Sequence, residues 1–163
     1  LVPQIRRYTE EGHKFRLILS LTSALPATRR KLLPVASKFA IEDLAAAMRA
    51  YDAKSKGRTT LAWVLMDGVN TGDDEVAAIV EFAAGLNLRF NLIDVNDARP
   101  DGYRPPSDSV RKRFMDGLQV LGAPLVRRYS GGSLRHAACG MLASTRWNEE
   151  DIPGLSGPEM RGS

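Results

Sequence analysis

The chain of 163 residues carries 23 Lys and Arg against 19 Asp and Glu, a formal net charge of +4, with 44% hydrophobic residues and one cysteine. That is apolar material for one core and one domain, and no run of about 18 apolar residues is present to cross a bilayer. The lone thiol excludes an internal disulfide, and it excludes a Cys-rich zinc or iron–sulfur site built from this chain alone.

The N-terminus lacks the basic, apolar, small-residue order of a secretion signal, so the cytoplasm is the expected compartment, with no membrane partner. The chain opens on Leu1 instead of methionine, which suits a fragment of a longer protein. Basic residues fall in short groups: Arg6 and Arg7, Arg29 to Lys31, Arg111 to Arg113, Arg127 and Arg128. Such groups are compatible with a phosphate-rich partner, but an ordinary solvated face is the commoner reason for them.

Along the chain, strand and helix alternate. FRLILSLT (15–22) is a short apolar run with charge before it and small polar residues after, as a buried parallel strand requires. Ile41, Leu44, Met48 and Tyr51 then fall three or four apart on one helical face. LAWVLM (61–66) predicts a second strand, followed by a helix with Val76, Val80 and Ala83 on its apolar face. Asp73, Asp74 and Glu75 place negative charge in that helix's first turn. LRFNLIDV (88–95) predicts a third strand; Ser107 and Asp108 then offer capping oxygens to a helix bearing Val110, Phe114, Leu118 and Leu121. APLVRRY (123–129) makes a weaker fourth strand, and residues 144–163, rich in Gly, Pro and charge, read as a loose tail.

Strands separated by helices require parallel pairing and crossover connections, so the class is α/β. Two architectures compete, an open doubly wound sheet and part of a (β/α) barrel. No Gly-x-Gly-x-x-Gly and no P-loop follows any strand, which favours part of a (β/α) barrel with about four parallel strands and intervening helices. In either, function concentrates at the strand C-terminal ends, here residues 20–24, 67–72 and 94–103.

Each of these loops has a plain reading as well as a functional one. SLTSALP (20–26) offers hydroxyls and amides to a polar ligand, or simply a turn with local side-chain bonds. DGVNTGDDE (67–75) uses Gly68 and Gly72 for a tight turn into a helix. Asn91, Asp94, Asn96 and Asp97 gather at one strand end, where polar groups are costly unless solvated or bonded. His13 and His136 are too few for a three-His metal site, and His136 lies three residues from Cys139 without evidence of an acid–base pair. Asp43 and Asp52 show no paired-carboxylate spacing.

Cys139 itself has two readings. Ala137, Ala138, Met141 and Leu142 would suit a small buried hydrophobe. Gly131, Gly132 and Gly140, with Arg127, Arg128 and Arg135 nearby, would suit a mobile thiol whose pKa is lowered toward the thiolate.

Several segments together resemble a known family. RHAACGML (135–142) is similar to the AACGxL motif of the RlmN/Cfr radical S-adenosylmethionine RNA methyltransferases, and FRLILSLTSALPATRRKLLPV (15–35) is similar to their SLHAP…R..L.P segment. LMDGVNT (65–71), NLIDVND (91–97) and VRRYSGG (126–132) match further family motifs in the same order, so the resemblance covers residues 1–143, the C-terminal half of such enzymes.

The resemblance implies a partial barrel holding a [4Fe-4S] cluster and S-adenosylmethionine. Cys139 would be the methyl carrier, Ser20, Leu21 and Thr22 would line S-adenosylmethionine, and Asn96 would hydrogen-bond its polar groups. The implied reaction transfers a carbon through that cysteine to an sp² carbon of adenine in RNA, ribosomal or transfer, by a radical route.

The chain also departs from the pattern. Thr22 stands at the family's histidine, Asp94 at its proline, and Gly131, Ser133 and Leu134 at the arginine and acidic pair of RGDD. The CxxxCxxC cluster motif, the GGE-type loop and the second catalytic cysteine are absent from this sequence. The expected partner is therefore an N-terminal half, in cis or in trans. The competing reading is a noncatalytic remnant that binds RNA or a small ligand, and a flavodoxin-like binder with a sheet covered on both faces is a third.

Overall fold

A computed structural model describes residues 1–13, 15–55, 59–97, 99 and 102–128. Strands β1 (Ile18–Ser20), β2 (Thr59–Leu65), β3 (Leu88–Asp94) and β4 (Leu125–Arg128) form one sheet in the order β1-β2-β3-β4, parallel at every pairing. Among the described residues, helices α1 (Val2–Glu11), α2 (Pro26–Leu32), α3 (Ile41–Lys54), α4 (Asp73–Ala83) and α5 (Asp108–Leu118) precede and connect them.

The strand order decides between the two architectures. Each strand pairs with its successor, so the winding never reverses, and crossovers of one hand must then leave their helices on one face. The burial pattern agrees. Leu19, Leu61, Trp63, Leu65, Leu88, Phe90 and Leu92 join Leu44, Met48, Ile79, Phe82, Phe114 and Leu118 in one apolar cluster. The alternate residues of the same strands face away from it: Ile18 is 56% exposed and Val126 39% exposed, with Ala62, Val64, Asn91 and Ile93 half-buried between them. A doubly wound sheet would bury both faces. This is α/β with a segment of a (β/α) barrel, as the missing glycine fingerprint led us to expect, and not a flavodoxin-like sandwich.

The helices obey local rules that the sequence carries. Ser107 caps α5 by accepting from the Val110 N–H. The first helices, α1 and α2, went unread because their apolar stripes are short; each nevertheless has proline in its first turn, where the ring angle suits a helix and no N–H is wasted. Helix α1 packs on α3, burying Val2 and Ile5, with Tyr8 and Tyr51 ring centroids 6.1 Å apart.

Two sequence expectations need correction. The buried stripe of α4 is Glu75, Ile79, Phe82 and Ala83, one position round from the Val76–Val80 face. Val76 turns instead toward α5, so close to Gly117 that a Cβ there would lie 2.9 Å from its methyl. The basic groups are likewise not all solvated: Arg29 and Arg111 are 6% and 7% exposed, because each is drawn inward by an oxygen partner described below.

Candidate functional site

Strand β1 stops after three residues because the chain turns sharply there. Ser20 lies in register with Ala62, which pairs with Asn91, and so its side chain shares their open face. Leu21 returns to the core, fully buried, and its carbonyl accepts from the Ser23 N–H at 2.8 Å and from the Arg29 guanidinium. Thr22 then adopts φ 67°, the left-handed region that a β-branched residue rarely enters. Such a backbone persists only where its surroundings hold it.

Those surroundings come from β2 and α4. Asn70, fully buried in the loop after β2, donates from Nδ2 to the Thr22 carbonyl at 2.7 Å and to the Val64 carbonyl at 2.8 Å, and its Oδ1 accepts from the Met66 N–H at 2.9 Å. One amide thus fastens the end of β1 to the end of β2. The next support is Glu75 in the first turn of α4. Its carboxylate, with no exposed surface, accepts from the Ser23 hydroxyl and from the Ala24 N–H at 3.0 Å. Burial pushes the Glu75 carboxyl above its ordinary range, and these two bonds pull it partly back.

The polar cluster expected at the end of β3 is divided between separate tasks. Asp94 faces the helices, where it receives the buried Arg111 in a forked pair, both contacts 3.1 Å, and Arg127 of β4 at 2.9 Å. Arg111 also reaches the Pro106 carbonyl at 2.8 Å, so one guanidinium fixes the loop between β3 and α5. Asp97 holds its own loop, accepting from the N–H groups of Arg99 and Tyr103, both at 3.1 Å. The side chain of Arg99 beside it holds the Asp97 carboxyl well below the usual range, and Gly102 leaves space for that carboxylate. Asn91 stays on the open face, and Asn96 follows in the loop beyond β3, half-buried.

Of the predicted site residues, Ser20, Leu21 and Thr22 therefore meet at one strand end, next to the β2 loop. Cys139 and its neighbour His136 lie outside the described residues. Sequence reasoning passed over Asn70, Glu75, Arg29 and Arg111. Only Glu75 carried a readable signal, an acid spaced four and seven residues before the apolar Ile79 and Phe82. Asp94, Asp97 and Glu75 already have partners, and among the described residues no group of three or more His, Cys, Asp or Glu could hold a metal ion. Around Ser20, Thr22 and Asn91 the open face offers hydroxyl, amide and backbone groups. That chemistry binds and orients a ligand more readily than it moves protons.

Comparison with known proteins agrees with this architecture. No family model matches the chain. A probable RNA methyltransferase of Anaeromyxobacter is 49% identical over 146 residues, covering 88% of this chain and 43% of that protein. A probable dual-specificity RNA methyltransferase RlmN of Chlorobium luteolum is 33% identical over 145 residues, 88% of this chain and 40% of the relative. Among solved structures, a radical SAM methyltransferase from Sphaerobacter thermophilus superposes with a TM-score of 0.79 at 35% identity, over 86% of this chain and 41% of that one. A domain of a pyruvate-formate lyase-activating enzyme from Bacteroides vulgatus shares the fold, with a TM-score of 0.54 at 16% identity. The chain spans about two fifths of the length of the curated relatives it matches. Likeness in sequence and likeness in fold converge on one group, and over these residues the chain is similar to RlmN-type radical S-adenosylmethionine methyltransferases.

Proposed function

We propose that this chain is the portion of a radical S-adenosylmethionine RNA methyltransferase that binds the methyl donor and carries the methyl-accepting thiol. The observation that supports it best is the β1 end: Ser20 on the open face, followed by Thr22 in a left-handed turn whose carbonyl is held by the buried Asn70. Ser20, Thr22 and Asn96 would hold S-adenosylmethionine, and Leu21, whose side chain is in the core and whose N–H and carbonyl are already bonded within the protein, would line the site by fixing its two neighbours. Cys139, as a thiolate, would attack the methyl carbon; the new S–C bond forms as the sulfonium C–S bond breaks and its electron pair leaves with the departing sulfur. Transfer onward to a carbon of adenine in ribosomal or transfer RNA completes the proposed role.

The iron–sulfur cluster does not fit these residues. One cysteine and two histidines cannot provide the three thiolates of a CxxxCxxC site. In this proposal a cluster-bearing segment joins the chain in cis or in trans. The same shortage favours a second reading, a ligand- or RNA-binding remnant in which Cys139 is idle.

Anaerobic assembly of the chain with a cluster-binding segment, RNA and S-adenosylmethionine carrying an isotopically labelled methyl group separates the two. The expected result is label on the Cys139 peptide and on adenine carbon, with Cys139→Ala abolishing both. Label reaching RNA in the Cys139→Ala protein would overturn the carrier role, and no label anywhere would favour the remnant.

A further inference from the structure

The loop that presents Ser20 and Thr22 is held by side chains from elsewhere in the sequence, and one of these bonds is unusual. Glu75 is a fully buried carboxylate, a group that costs several kcal/mol to desolvate unless its oxygens are bonded. Its partners are not cations. They are the Ser23 hydroxyl, also fully buried, and the Ala24 N–H, the two positions immediately after Thr22. Ser23 in turn accepts from the Leu25 N–H at 3.1 Å, so a single carboxylate orders three successive residues.

A valine or leucine at position 75 would serve the α4 core without that desolvation cost. The carboxylate is better explained by what it does to the loop. It fixes the chain just after Thr22, where Asn70 also holds the Thr22 carbonyl, while Arg29 holds the Leu21 carbonyl just before it, so the left-handed turn is pinned on both sides. Thr22 has little freedom to relax toward negative φ, and its side chain keeps one direction relative to Ser20.

We infer that Glu75 is a positioning residue for the ligand loop at 20–24, acting through Ser23 and Ala24 to hold Thr22 in its binding orientation. The inference rests on the proposed donor-binding role of that loop. It assigns Glu75 no contact with ligand.

The test compares the wild type with Glu75→Ala, Glu75→Gln, Ser23→Ala and, as a control for general destabilisation, Ile5→Ala in α1. Two quantities are read: amide hydrogen exchange of residues 21–25, and equilibrium binding of S-adenosylmethionine at a temperature where each variant is folded. Glu75→Ala should speed exchange at 21–25 and weaken binding about tenfold, the size of one lost charged hydrogen bond. Glu75→Gln keeps an oxygen for Ala24 and a polar partner for Ser23, and should stay within about twofold of wild type. Ile5→Ala should lower the melting temperature without changing either quantity. Should Glu75→Ala not fold, Ser23→Ala reads the same contact from the other side.

The inference is overturned if exchange at 21–25 is unchanged in Glu75→Ala or Ser23→Ala, or if the loss of affinity merely tracks the loss of stability, as in Ile5→Ala. Absence of binding by the wild type would instead overturn the donor-binding reading, and the exchange data would still decide whether Glu75 holds the loop.

Discussion

At the scale of single residues, this molecule places carboxylates where they organise backbone. Asp94, Asp97 and Glu75 all lie near strand C-terminal ends, and each has a distinct partner set: two guanidinium groups, its own loop, and a neighbouring loop. Their electrostatic consequences differ in sign. Arg99 and the loop amides depress the Asp97 carboxyl, so that contribution is present above the ordinary aspartate range and is lost only in strong acid. Glu75 is the opposite case. Burial raises it above 4.5, so the folded state holds a proton that the unfolded chain has released, and stability falls as pH rises from 4.5 through the raised value. Glu75→Gln is neutral at every pH and should remove this decline. Unfolding free energies of the two proteins between about pH 4 and 7 should therefore diverge in the variant's favour as pH rises. A difference that stays constant with pH would refute the buried titration.

At the scale of elements, the loops matter more than the helices for the site, and here the sequence was least legible. Short, mostly apolar runs located every strand of the sheet, because the strands of a parallel sheet are largely buried. They placed the ends poorly. The first strand looked eight residues long, yet the Phe15 carbonyl accepts from the Tyr8 hydroxyl and the Leu17 N–H donates to the Tyr51 hydroxyl, contacts to helices that no local pattern announces. Asn91, Asp94, Asn96 and Asp97 looked like one polar cluster for a similar reason: alternation sends Asn91 to the open face and Asp94 to the helix face, and only the structure supplies Arg111 and Arg127 as its partners.

Asn70 is the clearest case of an element held by a residue that composition cannot distinguish from an ordinary turn former. Its two donor bonds tie β1 to β2 across 48 positions of sequence. Asn70→Asp keeps the shape and replaces both donors by an acceptor facing the carbonyls of Thr22 and Val64. The expected loss is about 2–4 kcal/mol at neutral pH, with partial recovery in acid as a proton restores one donor. Denaturant unfolding at both pH values checks it; a loss below about 0.5 kcal/mol would mean that the tie is dispensable.

At the scale of the whole molecule, the governing fact is that one face of the sheet has helices and the other has none among the described residues. A four-stranded parallel sheet ordinarily has both faces covered. Here the open face carries Ile18 and Val126 in substantially exposed positions, with Val64 and Ile93 between them, and Arg89, whose Nε is buried without a hydrogen-bond partner. Among the described residues β1 is also an edge strand, and a strand edge is a known route to association. Apolar surface of this kind lowers free energy when removed from water. The chain by itself should therefore self-associate as its concentration rises. Sedimentation velocity over a concentration series measures this directly, and the double substitution Ile18→Glu with Val126→Glu should return the protein toward a monomer, because two carboxylates on the face must be desolvated to be covered. The folded core lies on the opposite face, so the helical circular dichroism of the variant should match the wild type. A wild type that remains monomeric throughout would mean that the open face is already satisfied, and the search would turn to residues 129–163 as its cover.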